Sequence, residues 1–403
     1  MSVTRNDDYH ALLARHDAMR LRRRLLAPAP QPPEPLPYDG AADQRLIAAH
    51  LHLVTPLDEL IAHLYEVMFR RRPALRSLFP DSMAFQQEHL EAAFRHLIEN
   101  LHRPDEVAAT FRQLGRDHRK LGVRPAHYAS FEEALREALR RCAGPQWPAE
   151  AERAWLRMLR FAVGAMTDGA DAALAEPPCW QALVVGHERR RPDLAVLHLR
   201  TSEPYPYRAG QHGALESPLL PRAWRQYSMA GAPRPDDALE FHVRRTGPGG
   251  VSEALVERTG VGDVLRLGPA GGTATLDADL SRDVLLVAGG TGLAQAKALV
   301  QELAARPQPP RCARLFVGAR TRSDLYDLQW LGELQQRRPW LRVVPVVGDV
   351  AEVVGRHGGW SEYVAYVSGP PAMVRATARR LTGLGLPAAR IRHDALPEAG
   401  RIG

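Results

Sequence analysis

Three modules in series are predicted: an all-α domain, a small antiparallel β-barrel, and a parallel α/β domain. Three observations predict this. Apolar residues recur at helical spacing from 42 to 175, with no β-rich run between them. From 180 to 280, short strand-like runs alternate with Gly and Pro punctuation. Over 281–403, buried strand patterns alternate with helical ones, as in a doubly wound parallel sheet.

Composition agrees. A chain of 403 residues accommodates three domains at roughly 100–200 residues each. At 45% hydrophobic residues it can bury a core, which excludes wholesale disorder. A formal charge of +7 is too small a surplus for a nucleic-acid binder. Lys120 and Lys297 are the only lysines, so a single arginine carries little information. Cys142, Cys179 and Cys312 lie far apart without CxxC spacing, which argues against a disulfide scaffold or a cysteine zinc site. No apolar run approaches the ~18–20 residues of a membrane helix, and no signal-peptide core is visible. These features predict a cytoplasmic protein with no integral membrane segment, acting as a monomer or weak dimer.

Residues 1–41 read as a flexible extension: a basic stretch, Met19 to Leu26, then six prolines within 27–37. The helical domain follows over 42–175. Leu57, Leu60, Ile61, Leu64 and Met68 share one helix face. Met83, Leu90, Phe94 and Leu97 form a second stripe, and Val107, Phe111, Leu114 and His118 a third. Pro125 suits a helix start and leads into Phe131, Leu135 and Leu139. Trp155, Leu159, Ala162 and Met166 make the last stripe. Ala175 to Pro178 reads as a linker. Leu194–Leu199, Leu239–Arg245 and Asp263–Leu267 are strand-like, and a further strand opens at Arg225. In the last domain, strands are predicted at Asp283–Ala288, Arg314–Gly318, Val343–Val347 and Tyr363–Ser368.

His118 extends its stripe inward at a helix end. Around it run His63-Leu-Tyr65, Pro73 to Pro80, Met83-Ala-Phe-Gln86 with Leu90 four residues on, and Gly122-Val123-Arg-Pro125-Ala-His-Tyr128. In this order and spacing the motifs resemble the globin domain of flavohaemoglobins. The resemblance implies haem b, with His118 as the ligand to iron through a neutral imidazole nitrogen. It places Tyr65 and Gln86 as the distal pair facing bound dioxygen, with Gln87 and His89 as rivals if the register slips. Leu90 would gate the pocket, Phe79 pack on the haem face, and Tyr128 support the proximal side. The family usually adds a glutamate on the last helix that polarises the proximal imidazole. Ala170 stands at that position here, with Asp168 and Asp171 the nearest acids.

Further on, Arg225-Gln226-Tyr227-Ser228, His242-Val243-Arg244 and Gly249-Gly250-Val251-Ser252 resemble the flavin domain of the ferredoxin–NADP reductase superfamily. The resemblance implies FAD. Ser228 would donate near the reducible flavin nitrogen, Tyr227 lie along the ring and ribityl chain, and Arg225 meet the pyrophosphate. Gly250 to Ser252 would offer backbone amides to an anion. Gly289-Gly290-Thr291-Gly292 opens a helix after a buried strand. It is joined by Arg320 after the next strand and by Ser368-Gly369-Pro370 after the last. This trio resembles the NAD(P)H-binding half, with Thr291 by the nicotinamide and Arg320 by the adenosine ribose. Arg320 and Arg322 favour a 2′-phosphate, while Asp324 and Asp327 repel one, and the balance leans to NADH. Ala294, Ser368, Leu396 and His212 stand where the family usually has proline, cysteine, a C-terminal aromatic lid and tyrosine.

Together the three modules resemble a flavohaemoglobin. The implied activity is NAD(P)H-dependent nitric oxide dioxygenation, with O2 and nitric oxide as substrates and nitrate as product. Two alternatives stand beside it: a haem and flavin oxidoreductase with another donor or acceptor, peroxidase-like or fed by a hydroxy acid, and a haem gas sensor reset by its reductase.

Overall fold

The computed structural model describes residues 38–278, 280–307 and 312–393. The extension over 1–37 and the tail bearing Leu396 lie outside the described residues. Residues 40–403 cluster as one unit.

Six α-helices build the first domain: α1 (Gly40–His50), α2 (Leu57–Arg71), α3 (Ala84–Asn100), α4 (Pro104–His118), α5 (Pro125–Ala143) and α6 (Ala149–Ala172). The apolar stripes turn inward as their spacing predicts. Leu60, Ile61, Leu64, Leu97, Leu135 and Trp155 are almost wholly buried. Proline begins α4 and α5, where its missing N–H costs nothing. Acidic residues in the first turns of α2, α4 and α6 favour the positive ends of those helices. The contact that fixes the site is backbone on backbone. A Cβ added at Gly115 of α4 would lie 1.9 Å from the Met166 carbonyl oxygen, and one at Gly169 of α6 would lie 2.0 Å from that of Arg112. Only glycine allows α4 and α6 to approach this closely, and that approach sets where His118 ends.

The second domain is an antiparallel sheet of β1 (Trp180–Arg191), β2 (Leu194–Thr201), β3 (His212–Glu216), β4 (Trp224–Ser228), β5 (Ala238–Arg244) and β6 (Val264–Leu267). The strand order is β4-β3-β6-β1-β2-β5. A bridge from Met229 to Phe241 joins the two edges, so the sheet closes on a core that includes Trp180, Leu197, Leu215 and Phe241. Strands β1 and β3 are additions to the sequence reading. β1 alternates burial only over its first half, and β3 is short, so neither shows a full period-two signal.

The third domain has β7 (Asp283–Gly289), α7 (Leu293–Ala305), β8 (Ala313–Ala319), α8 (Leu328–Arg337), β9 (Leu341–Val347), α9 (Val350–His357), β10 (Tyr363–Ser368), α10 (Pro371–Gly383) and a short β11 (Ile391–Arg392). All strands run parallel, in the order β11-β10-β7-β8-β9. Separate apolar clusters cover the two faces, as a parallel sheet flanked by helices requires. Parallel pairing brings the carboxyl ends of β7, β8 and β10 to one edge, where such sheets bind ligands.

Candidate haem pocket and flavin–nucleotide cleft

The helical domain encloses an apolar cavity of about 320 Å³. Tyr65, Phe79, Gln86, Leu90, His118 and Tyr128 all line it. Of the rivals for the distal role, His89 lines it and Gln87 is absent from the lining. α2 carries Tyr65, α3 carries Gln86 and Leu90, and the last turn of α4 carries His118.

His118 Nδ1 lies 2.8 Å from the Leu114 carbonyl oxygen one helical turn earlier. Nδ1 is therefore the donor, and the lone pair is left on Nε2. Burial lowers the pKa of this imidazole, so it is neutral at neutral pH. Burial likewise raises Tyr65 and Tyr128, and both keep their hydroxyl protons. Tyr65 is fixed by aromatic contacts, with ring centroids 5.8 Å from Phe69 and 5.6 Å from Phe79. Its hydroxyl lies 3.5 Å from the Gln86 carbonyl oxygen, a long contact. Gln86 Oε1 is buried without a hydrogen-bond partner. A neutral imidazole, a phenol held at its post and an unsatisfied amide, bordering one apolar space, fit a haem and a small polar ligand.

Among the described residues no carboxylate hydrogen-bonds His118. Asp168 and Asp171 are exposed, and Ala170 offers no acceptor. The imidazole is oriented by a backbone carbonyl, a weaker polariser than a carboxylate.

A second space of about 480 Å³ lies between the barrel and the parallel sheet. Gln226, Tyr227, Ser228, His242 and Arg244 line it from the barrel. Gly289, Gly290, Thr291, Gly292, Ser368, Gly369 and Pro370 line it from the ends of β7 and β10. Gly292 must be glycine: an added Cβ would lie 2.3 Å from the Ser368 carbonyl oxygen. Ser368 Oγ in turn donates to the Gly292 carbonyl oxygen at 2.7 Å, clamping the two loops together. Arg244 extends toward the Gly290 turn, and its Nε and one terminal nitrogen are buried without hydrogen bonds. Asp193 and Asp324 neutralise it only at 3.4 and 3.6 Å. An under-satisfied guanidinium beside a glycine turn fits a dinucleotide phosphate.

Other predicted residues stand elsewhere. The Arg225 guanidinium lies over the Phe85 ring of α3 at 3.9 Å and donates to the Trp224 carbonyl oxygen. It bridges barrel and helices instead of lining the cleft. Gly249 donates its N–H to the Glu253 carboxylate at 2.6 Å, and Ser252 Oγ is engaged with Thr246. The Gly249 amide is therefore already taken, and none of the four residues from Gly249 through Gly250 and Val251 to Ser252 lines the cleft. Arg320 is exposed and also stands outside it. Asp327 is not a surface acid facing a nucleotide. Its carboxylate is 7% exposed and lies 3.4 Å from Lys297 Nζ, so half of the charge argument against a 2′-phosphate falls away.

That contact belongs to a network the sequence did not reveal. His242 Nε2 is 2.7 Å from Glu240, His242 Nδ1 is 2.8 Å from the Tyr326 hydroxyl, and Lys297 Nζ is 2.7 Å from Glu240. Glu240, His242 and Asp327 cluster closely enough to suggest a metal site. The Lys297 ammonium already contacts both carboxylates and supplies the positive charge. Burial pushes the Glu240 carboxyl up, but the His242 hydrogen bond and the Lys297 charge hold it down at about 2. These residues come from β5, the start of α7 and the turn before α8, so no local motif signals them.

The globin family matches residues 62–166, and the oxidoreductase NAD-binding domain family matches 286–379. The chain is 32% identical over 232 residues to the reductase component, ferredoxin–NAD(P)(+), of the naphthalene 1,2-dioxygenase system of Pseudomonas putida, covering 54% of this chain and 69% of that one. Further reductase components are spanned over 57–66% of their own lengths. It is 25% identical over 382 residues to a flavohemoprotein of Rhizobium meliloti (strain 1021), covering 83% of this chain and 92% of that one. Its fold matches that of the flavohemoglobin from Malassezia yamatoensis, whose crystal structure holds FAD and heme. The TM-score is 0.74 at 17% identity, over 88% of this chain and 98% of that one. No described helix is long and apolar enough to cross a membrane. Globin and reductase halves in one chain make it an oxidoreductase with electron transfer of the flavohaemoprotein type. The chain belongs to the flavohaemoglobin family: a globin joined to a ferredoxin–NAD(P) reductase-like flavin and nucleotide module.

Proposed function

We propose that the chain is an NAD(P)H-dependent nitric oxide dioxygenase, consuming O2 and nitric oxide and releasing nitrate, with haem b, FAD and NAD(P)H as cofactors. The observation that carries this reading is the cavity itself: one buried neutral imidazole together with a phenol and an amide, in a wall that is otherwise mostly apolar. When bound, FAD would supply hydride acceptance and one-electron transfer, and haem would supply the redox chemistry toward O2 and nitric oxide.

The chain's own residues do the rest. His118 holds the iron through Nε2 because Nδ1 is committed to Leu114. Tyr65 keeps its proton and donates it as a hydrogen bond across the cavity. Gln86 supplies a second polar group, and its O and N are interchangeable by a flip of the amide. Leu90 narrows the entrance, while Phe79 and Tyr128 pack around the ring. In the cleft, Ser228 places a hydroxyl and Tyr227 a ring against the flavin, and Thr291 and Ser368 flank the nicotinamide. Arg244 takes a phosphate, a role the sequence assigned to Arg225. NADH remains the preferred donor, resting on Asp324 beside Arg244. The division into 42–175, 180–280 and 281–403, a monomer or weak dimer, and a cytoplasmic setting suited to three free cysteines complete the proposal.

Purified chain given NADH and O2 should consume nitric oxide far faster than the uncatalysed reaction. Tyr65→Phe should lower that rate about 10- to 100-fold with haem content unchanged. Consumption no faster than without protein would overturn the activity. It would favour the second reading, a haem and flavin oxidoreductase with another acceptor. That reading draws on one observation, the backbone carbonyl standing where a carboxylate would polarise His118.

A further inference from the structure

All but one of the residues lining the haem cavity come from the helical domain. The exception is Arg222, from the barrel loop between β3 and β4. It is also the one permanently charged residue in that lining. Its backbone is in the left-handed region, φ 68°, which costs a non-glycine residue about 1 kcal/mol. Glu216 holds it there, accepting the Arg222 N–H at 2.5 Å. The Glu216 carboxylate is 4% exposed and its charge is matched by Arg266, also at 2.5 Å. It therefore fixes the Arg222 backbone and leaves the guanidinium free of it. The guanidinium makes one weak contact, donating to the Leu121 carbonyl oxygen at 3.4 Å. Leu121 lies in the turn just after His118. Among the described residues no carboxylate pairs with Arg222. Besides His118, the histidines that line the cavity, His89 and His127, are each tied locally, to the Phe85 carbonyl and the Arg124 N–H.

A haem b carries two propionates, and an anion at the rim of an apolar cavity needs a cation with hydrogen bonds to give. Building on the haem reading above, we infer that Arg222 binds a haem propionate, so that the reductase half completes the globin's haem site. The consequence is coupling. Seating the haem draws the β3–β4 loop onto the turn after His118, and this loop leads through Trp224 into the flavin strand β4. Beside it the halves are already joined: the Lys120 cation lies 5.6 Å from the Trp224 ring, and Arg266, 5.0 Å from the same ring, donates to the Lys120 carbonyl oxygen. By linkage, whatever tightens this joint also tightens haem.

The test uses the full chain, as wild type, Arg222→Ala and Arg222→Lys, each loaded with haem b or with its dimethyl ester. The readout is the rate of haem transfer to excess apomyoglobin, followed by absorbance. With haem b, Arg222→Ala should release haem about tenfold faster than wild type, and Arg222→Lys should fall between them. With the ester, which cannot form the ion pair, wild type and Arg222→Ala should release at equal rates. FAD content should match across the variants, showing that the barrel is intact. Equal rates with haem b, or an Arg222→Ala difference of the same size with the ester, would overturn the assignment while leaving the haem reading standing. A chain that takes up no haem at all would overturn both.

Discussion

The two spaces of this molecule are built on opposite plans. The haem cavity is lined by one helical domain, with Arg222 of the barrel at its edge. Its wall is mostly apolar, and the chemistry rests on a few groups, each held by its own neighbourhood: His118 by Leu114 and Tyr65 by Phe69 and Phe79. The cleft is open and polar, and it forms only where strand ends of two domains meet, with Ser368 clamped to Gly292 and Arg244 reaching the Gly290 turn. The difference teaches where precision comes from. In the cavity it comes from packing, which tolerates few polar atoms and makes each of them matter. In the cleft it comes from backbone turns and a charge network, so single side chains carry less.

Substitutions at three positions sharpen or break that contrast. His118→Ala should have the largest effect, removing the ferrous and ferric Soret signature of a ligated haem and lowering nitric oxide consumption more than 100-fold. Flavin reduction by NADH, read at the flavin band, should persist. If flavin reduction is lost as well, the two spaces are not independent.

Glu240→Ala should come next. It leaves Lys297 with Asp327 alone and His242 Nε2 without its hydrogen bond, and breaking a buried, hydrogen-bonded charge pair costs about 3 kcal/mol, read by denaturant unfolding. The pH dependence has a definite sign. With Glu240 held at about 2, its contribution is fully present above the ordinary carboxylate value near ~4.3 and is lost as pH falls toward 2. Glu240→Gln should remove that part of the acid transition. An unchanged acid profile would show that the network is not a stabilising unit.

Arg244→Ala should have the smallest effect, raising the KM for NADH about tenfold with the haem spectrum unaltered. A fall in kcat at unchanged KM would instead place Arg244 on the flavin side of the cleft.

How much of this was legible in the sequence follows the same divide. The helical stripes through Leu57 and Val107 predict buried faces, and they are buried because a period of 3.6 survives any arrangement that covers one face. His118, Tyr65 and Gln86 each sit in a local motif on such a helix, and the helices bring all three to the cavity wall. The reductase residues were legible as a set but not in their roles. Arg225 belongs to a strand-opening motif, yet its guanidinium rests on Phe85 of another domain. The amides of Gly249 to Ser252 read as an anion site, yet the Gly249 amide is taken by Glu253 and none of the four residues lines the cleft. Asp327 reads as a surface acid until Lys297, brought in by α7, contacts it.

The sequence by itself determined the three-module order, the helical faces, the glycine turns and the imidazole at the end of α4. Each is a short-range consequence of side-chain periodicity or backbone freedom within a few residues. Only the tertiary structure decided which charges meet: Glu240 with Lys297, Arg244 with the Gly290 turn, Arg222 with the haem cavity. The physical reason is that ion pairing depends on distances of a few ångströms between residues tens to more than a hundred positions apart. No spacing along the chain encodes that separation.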